Sequence, residues 1–596
     1  MMIYTGTYQS LKELFDGIGG EWDEKYSDKK VYRANGGLMN WFVTSGKINF
    51  QGKQESKEWL EAQAKSILAN LEAVDPLNED HLGNGIAKPP PLSHLKIPSH
   101  SSVETDYLTS KVIEGELVIG IVAAVGTESK LVIGALIDRL NIFGYNVKEI
   151  RVSSILKKFV GSGGEYERIR HYMQCGDSLR GESSNNAILA AGVASKIKEL
   201  RDESEPKRAY IVNSLKHPDE VEMLRKLYGP GFCLIGIHAD EARRHNYLTQ
   251  DKGCESLQAE ELIKIDENES ISYGQKTRDT YHLADFFLSV GNNSDQVKNR
   301  LQRFLELVFS HPYKNPTFDE YAMFMAFNSS ATSGDLSRQV GAVVAKENQV
   351  VATGANDVPK AGGGLYWATV DLSTGEVIDD DDGKDYKRGC DSNKKEQFEI
   401  IESIRDKLVE EGLIAEEQQV KLVEILRKSQ VSDLTEFGRI VHAEMDALTS
   451  CAREGISTRD TTLYCTTFPC HNCAKHIIAS GIKRVVYVEP YPKSRALDFH
   501  SESIFLKSNF DNNKPDDPSS KGKVIFEPFI GVGPRRFLDL FSMNLGAGSK
   551  MKRKDKEGKV LAWDKSSAGI RAPLLPSSYL DIESAAIQIW DNHAVS

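Results

Sequence analysis

Apolar positions along the chain change period from block to block, and the period predicts the elements. In residues 1 to about 75, SLKELFDGI and SKEWLEAQAKSILANLE carry apolar residues at helical spacing, with the strand-rich VYRANGGLMNWFVTSGKINFQG between them. A small α+β unit with no assignable chemistry is predicted there. The following DPLNEDHLGNGIAKPPPLSHLKIPSHSS is dense in Pro, Gly and Ser. Proline fixes its own φ and restrains the residue before it, so 76–110 reads as an extended linker. From about 111 to 310 the β-rich runs ELVIGIVAA, RAYIVNSL, FCLIGIHAD and ADFFLSVGN alternate with polar or helical connections, the pattern of a mostly parallel, covered sheet. From about 315 to 545 five strands are predicted, QVGAVVAK, QVVATGAND, TTLYCTT, RVVYVEPY and KVIFEPF, with helices near 395–428, at 442–453 and from 470. The tail, 546–596, opens with GAGSKMKRKDKEGK and reads as a peripheral, solvated basic run.

Composition narrows the classes. A length of 596 residues gives a soft prior of about four domains. Apolar residues at 40% and charged residues at 27% exclude wholesale disorder, a disulfide mini-protein and a collagen-like repeat. A net charge of -12 has the wrong sign for a protein that grips nucleic acid through phosphate neutralisation, but leaves room for a small anion in a local basic pocket. No basic-then-apolar leader and no run of about 18 apolar residues occurs, so a cytoplasmic protein without a membrane partner is expected. Eight cysteines are too sparse for a disulfide framework, and only Cys470 and Cys473 form a close pair.

That pair carries the strongest chemical signal. His442-Ala443-Glu444 is followed by Pro469-Cys470-His471-Asn472-Cys473, and one imidazole with two thiolates suits a three-ligand Zn²⁺ site whose fourth position stays open, a catalytic arrangement. Glu444, two residues after the first ligand, is placed to move protons without ligating. Both ligand groups fall at predicted helix starts, where negative charge is favoured and cysteine pKa is lowered. A lone C-x-x-C can also be half of a structural zinc ribbon, but Cys390, Cys451 and Cys465 offer no second pair. H-x-E with P-C-x-x-C is the signature of zinc-dependent base deaminases.

From about 320 to 535 the chain resembles the deoxycytidylate branch of the cytidine deaminase superfamily, through SGDLSRQVGAVV, the TGAND segment with Asn356, HAE, and LYCTTFPCHNCAKHIIASGIKRVVYVEPY. The resemblance implies a three-layer deaminase fold, zinc on His442, Cys470 and Cys473, Glu444 as proton shuttle, and Asn356 touching substrate sugar or base. Arg338, Lys493, Ser494 and Arg495 flank these motifs and read either as a phosphate pocket or as solubilising surface residues. Tyr491 reads as a stacking partner for the pyrimidine or as a strand-end cap. Between Asn356 and His442 lies an insert of roughly 80 residues, longer than such loops need be. Its run Asp379 to Asp382 reads as a solvated turn, with Mg²⁺ beside a triphosphate as the alternative.

In the second block the strand ELVIGIVAA runs through VGTESK into the helix LVIGALIDRL, the context of a phosphate-binding loop. Aligning Gly126 with the second glycine of G-x-x-x-x-G-K-[ST] puts Ile121 at the first glycine, Thr127 at the lysine and Glu128 at the Mg²⁺-reaching hydroxyl. Gly126, Thr127 and Lys130 remain candidates for holding a nucleotide by backbone N–H and charge. Arg243 and Arg244 resemble the arginine-bearing lid of nucleoside monophosphate kinases. With YIVNSLKHPDEVEMLRKLYGPGFCLIGIHAD, this block resembles the P-loop kinase-like domain of bacterial anti-phage dCMP/dCTP deaminases. The resemblance implies an α/β chain with a P-loop kinase-like parallel sheet at 111–310 and a deaminase domain at 315–545. It further implies drainage of deoxycytidine nucleotides during phage infection, a regulatory kinase-like half, a nucleotide effector or inhibitory small RNA acting on the N-terminal half, and a homo-oligomer. A biosynthetic enzyme coupling dCMP deamination to phosphorylation is the alternative, and a deaminase of polymeric RNA or DNA is disfavoured by the charge.

Overall fold

The computed structural model describes residues 115–572 apart from 161–162, 203, 268–272, 292, 435–436, 489–493, 508–519, 545–550 and 566–567, together with 2–3, 8–15, 19–23, 25, 29–42 and 47–72. The expected linker at 76–110 lies outside the described residues. Two compact units emerge, Met1–Ser99 and His100–Ser596.

The first unit is an antiparallel sheet of β1 (Met2–Ile3), β2 (Glu21–Asp23), β3 (Lys29–Ala34), β4 (Gly37–Phe42) and β5 (Lys47–Gly52), ordered β1-β5-β4-β3-β2. It carries α1 (Tyr8–Phe15) and α2 (Gln54–Glu72). The β3–β4 turn is Asn35-Gly36, both at positive φ, as a two-residue hairpin that follows the strand twist requires. Leu11, Phe15, Tyr32, Met39, Trp41 and Leu60 form its core.

The second unit holds two sheets. The first contains β6 (Glu116–Ala123), β7 (Asn146–Arg151), β8 (Arg208–Asn213), β9 (Phe232–His238) and β10 (Phe286–Ser289), parallel and ordered β7-β8-β6-β9-β10. Its helices include α3 (Ser129–Ile142), α4 (Glu165–Ser183), α5 (Ile188–Leu200), α6 (Pro218–Tyr228), α7 (Ser256–Glu267) and α8 (Ser294–Val308). The first strand is central, so the loop leaving β6 opens at the point where the strand order reverses. The sequence pattern missed β7, an edge strand with one buried residue and therefore no continuous apolar run.

The second sheet joins β11 (Gly341–Lys346), β12 (Gln349–Ala355), β15 (Thr462–Cys465), β16 (Arg484–Tyr487), β17 (Ile504–Leu506) and β18 (Val524–Pro528) in the order β12-β11-β15-β16-β18-β17. It is mixed: β11 runs antiparallel to both neighbours, and the remaining pairs are parallel. Six strands replace the five expected, because the three-residue edge strand β17 is too short to show a period. One face is covered by α9 (Phe318–Ser330), the other by α12 (Ala443–Arg453) and α13 (His471–Ala479). The insert forms a small hairpin, β13 (Thr369–Val370) with β14 (Val377–Ile378), a single helical turn at Asp385–Arg388, and two longer helices, α10 (Ser392–Glu410) and α11 (Gln419–Arg427).

The two sheets are one body because they share apolar surface. Val118, Val212 and Leu234 of the first sheet belong to the same buried cluster as Ala322, Met323 and Ala326 of α9 and Val343, Tyr464 and Val486 of the second. The short strand β19 (Gly531–Val532), past the end of the second sheet, returns to pair antiparallel with β10 at the edge of the first. The C-terminal stretch corrects the expectation of a peripheral tail. Ala568, Ile570 and Arg571 are buried, Arg571 N–H donates to Val308 O at 2.8 Å, and Trp563 Nε1 donates to Phe309 O at 3.1 Å. The apolar residues scattered between its lysines contact the end of α8, a non-local pairing that local composition does not reveal.

Candidate active site

His442 is the N-cap residue of α12 and Cys470 that of α13, so both helices point their N-termini at one spot. The approach of α12 to β12 depends on Gly354: a Cβ there would lie 2.2 Å from Ala443 O. His442 Nδ1 stands 3.3 Å from Cys470 Sγ and 3.3 Å from Cys473 Sγ. A tetrahedral ion with Zn–S near 2.3 Å and Zn–N near 2.0 Å spaces its ligand atoms by about 3.6 Å, so these three residues fit zinc. They form the metal-ligating cluster found among the described residues.

The electrostatics favour thiolate. The Cys473 thiol donates to Cys470, and with His442 beside it Cys470 is held down to about 3, while Cys473 is raised. His442 is raised in turn by its bond to Cys470. Glu444, in the first turn of α12, is 3% exposed, and burial together with the charge of Cys470 raises its pKa. A buried carboxyl whose pKa is raised is suited to taking up and returning a proton.

Two neighbours were not legible as site residues in the sequence. Cys465, at the end of β15, is fully buried, and its pKa is raised by burial and then by the charge of Glu444. Asp446 accepts from Ala355 N at 3.2 Å, fixing α12 against the end of β12. Strand alternation offered the one clue for Cys465, which shares a face of β15 with Leu463.

The expected substrate residues divide. Asn356 is buried, and its amide braces the loop before β11: Nδ2 donates to Asp335 Oδ2 at 2.9 Å and to Arg338 O at 2.8 Å, while Oδ1 accepts from Val340 N at 2.6 Å. Its amide N–H groups are thus both engaged with that loop. Arg338 is exposed at the rim, near enough for its charge to act on His442. Ser494 Oγ accepts from Ala496 N at 3.0 Å, and Arg495 lies 4.5 Å from the Phe499 ring. Tyr491 and Lys493 lie outside the described residues. In the Asp379–Asp382 run, Asp381 and Asp382 are exposed and pair with Lys387 and Arg388.

Residues 316–489 match the family described as "Cytidine and deoxycytidylate deaminase zinc-binding region". The match is confined to that region. The deoxycytidylate deaminase of Enterobacteria phage T4 is 29% identical over 176 residues, covering 29% of this chain and 77% of the phage protein. Among solved structures, the apo dCMP deaminase of cyanophage S-TIM5 is 18% identical, covering 36% of this chain and 100% of its own, with a TM-score of 0.19. A gluconokinase from Sinorhizobium meliloti 1021 is 11% identical, covering 33% of this chain and 98% of its own, with a TM-score of 0.21.

The loop after β6 borders a cavity of about 290 Å³ whose walls include Gly126, Thr127, Lys130, Tyr172 and Lys216. Gly126 adopts φ +83° under the backbone of Arg244, where a Cβ would lie 2.7 Å from Arg244 O. The loop consumes its own anion-binding capacity. Val125 N donates to Asp266 Oδ2 at 2.8 Å, Thr127 N donates to Ala124 O at 3.1 Å, and Glu128 is bound by Arg243 at 2.7 Å. Asp266 also binds Lys216 Nζ at 2.6 Å. The lid-like arginines therefore serve the loop: Arg243 neutralises Glu128, and Arg244, 1% exposed, donates to Val125 O at 3.5 Å as well as to Ala239 O at 3.1 Å. Among the described residues no helix is long and apolar enough to cross a membrane.

Proposed function

We propose that the chain deaminates deoxycytidine nucleotides, dCTP or dCMP, by zinc-dependent hydrolysis to the deoxyuridine nucleotides. The observation that carries this reading is the meeting of His442, Cys470 and Cys473 at one point beside the buried carboxyl of Glu444. Those three side chains would hold the ion, and zinc supplies Lewis acidity that makes water nucleophilic near neutral pH. Glu444 takes one proton from the attacking water and gives it to ring N3, then takes the second from the hydroxyl now on C4 and gives it to the departing amine. A C4–O bond forms, the C4–N bond breaks, one water is consumed and one ammonia leaves. Glu444 is itself buried, which limits the access of bulk water to its carboxyl.

The kinase-like half is regulatory in this reading. Glu128 stands where phosphoryl transfer needs a hydroxyl and Thr127 where it needs a lysine, so the charge stabilisation on which that reaction depends is missing. The cellular role is depletion of the deoxycytidine nucleotide pool during phage infection. The biochemical test is direct: purified protein contains zinc and releases ammonia from dCTP or dCMP, and Glu444→Ala lowers turnover at least about 100-fold while zinc stays bound by elemental analysis. Turnover by Glu444→Ala near the unmodified rate overturns the assignment. Nucleotide pools measured before and after phage challenge test the role.

A further inference from the structure

Between the two sheets lies a cavity of about 310 Å³ that none of the chemistry above uses. Its walls come from three parts of the chain: Arg278 and His282 precede β10, Phe327, Arg338 and Thr467 belong to the deaminase region, and Arg535 follows β19. Two of its three guanidinium groups, those of Arg338 and Arg535, have no ion-pair partner among the described residues. Arg535 lies 5.7 Å from the Phe327 ring, and desolvation lowers its pKa. Arg278 is anchored to Glu267 at 2.6 Å, and the carboxylate in the wall is Asp279. Arginines left without carboxylates around a cavity are suited to bidentate contact with phosphate oxygens.

The cavity adjoins the candidate active site through two routes. Thr467 Oγ1 is 3.9 Å from Cys465 Sγ at the end of β15, and Thr467 lies three residues before Cys470 in the chain. The Arg338 carbonyl is held by Asn356, whose neighbour Asp357 pairs with Val441, the residue before His442. The deaminase strand β15 and the loop before β11 thus present the ligand cluster at one end of the sheet and the arginines at the same end. A single phosphate ester carries a charge of about −2, which one or two arginines neutralise. The guanidinium groups of Arg338 and Arg535, with that of Arg278 held on Glu267 beside them, match more than one phosphate group.

We propose that this cavity receives the phosphate chain of the substrate and confers a preference for the triphosphate, with Arg278 and Arg535 as specificity-determining residues supplied from outside residues 316–489. The inference rests on the deoxycytidine nucleotide reading above. It makes the kinase-like half part of the substrate site as well as a regulatory domain, because Arg278 comes from that half.

The test compares kcat/KM for dCTP and dCMP in the full chain. Arg278→Ala and Arg535→Ala each lower the dCTP-to-dCMP ratio by about tenfold or more, the factor of one charge-assisted hydrogen bond, and Arg535→Lys recovers part of it. Since Arg278→Ala also releases Glu267 and can perturb folding, inorganic triphosphate is titrated against the unmodified protein and against Arg535→Ala. It competes with dCTP in the former and is at least about tenfold weaker in the latter. Ammonia release with an unaltered dCTP-to-dCMP ratio in both variants, or triphosphate inhibition equal in both proteins, overturns this inference and leaves the deaminase reading standing. Absence of ammonia from every deoxycytidine nucleotide overturns both.

Discussion

Glu320 offers the sharpest test of how the two sheets are held together. It is the N3 residue of a capping box on α9, accepting from Thr317 N at 2.7 Å, and it also accepts from Val532 N of β19 at 2.8 Å. Arg303 of α8 grips it with both arms, at 2.7 and 2.8 Å. One carboxylate, 0% exposed, therefore links a helix of the first sheet, a helix of the second and the strand that bridges them. Glu320→Ala leaves the buried Val532 N–H without its acceptor, at about 1–3 kcal/mol, and removes a helix cap, at about 1 kcal/mol. Loss of the ion pair adds less than the roughly 3–5 kcal/mol of a fully buried pair, because Arg303 is 26% exposed and rehydrates. The sum is about 3–5 kcal/mol, read as a lowered urea midpoint of the cooperative transition of the second unit. Glu320→Gln keeps the shape and one acceptor and is expected to lose roughly half as much. A loss below about 1 kcal/mol for Glu320→Ala, within the range of an exposed control such as Glu399→Ala, would refute the reasoning.

Two further outcomes follow from the kinase-like half. His217 caps α6, its Nδ1 accepting from Asp219 N at 3.2 Å, and burial holds its pKa down to about 4. The unfolded chain binds a proton near pH 6.5 that the folded chain refuses, so stability is full above about 6.5 and is lost as pH falls toward 4, by up to about 3 kcal/mol. Urea midpoints across this window check it, and His217→Asn, which keeps a capping acceptor, flattens the profile; an unchanged slope in that variant contradicts the assignment. Thr127→Lys restores one letter of the phosphate loop but leaves Glu128 on Arg243 and Asp266 on Val125. It is expected to create no ATP consumption with deoxynucleoside monophosphates in a coupled assay, and robust turnover would show that the loop is less committed than its hydrogen bonds indicate.

Local chemistry explains what could be read directly from the chain. The spacing of His442, Glu444, Cys470 and Cys473 carries its own geometry, because each ligand group lies at or just inside a helix start and helix periodicity sets the offset of Glu444 from His442. The alternation of strands with helices likewise foretold two covered sheets, since a parallel strand buried on both faces is a continuous apolar run. Asn35-Gly36 announced its own hairpin by backbone conformation alone.

Elsewhere the outcome depended on partners far apart in sequence. Asn356 resembled a substrate contact by motif, yet its amide N–H groups brace the loop of Arg338, which only the folded position of Asp335 makes available. Arg243 and Arg244 looked like a lid until Glu128 and the loop backbone came within reach. Arg278, Arg338 and Arg535 are separated by roughly 60 to 260 residues, carry no common motif, and become a cavity wall through the packing of α9 between the two sheets. Sequence periodicity specifies the elements and short-range ligand spacing because both are set by the backbone within a few turns. Which charges face one another across 3 Å is decided when the apolar faces meet, and that information resides in tertiary structure.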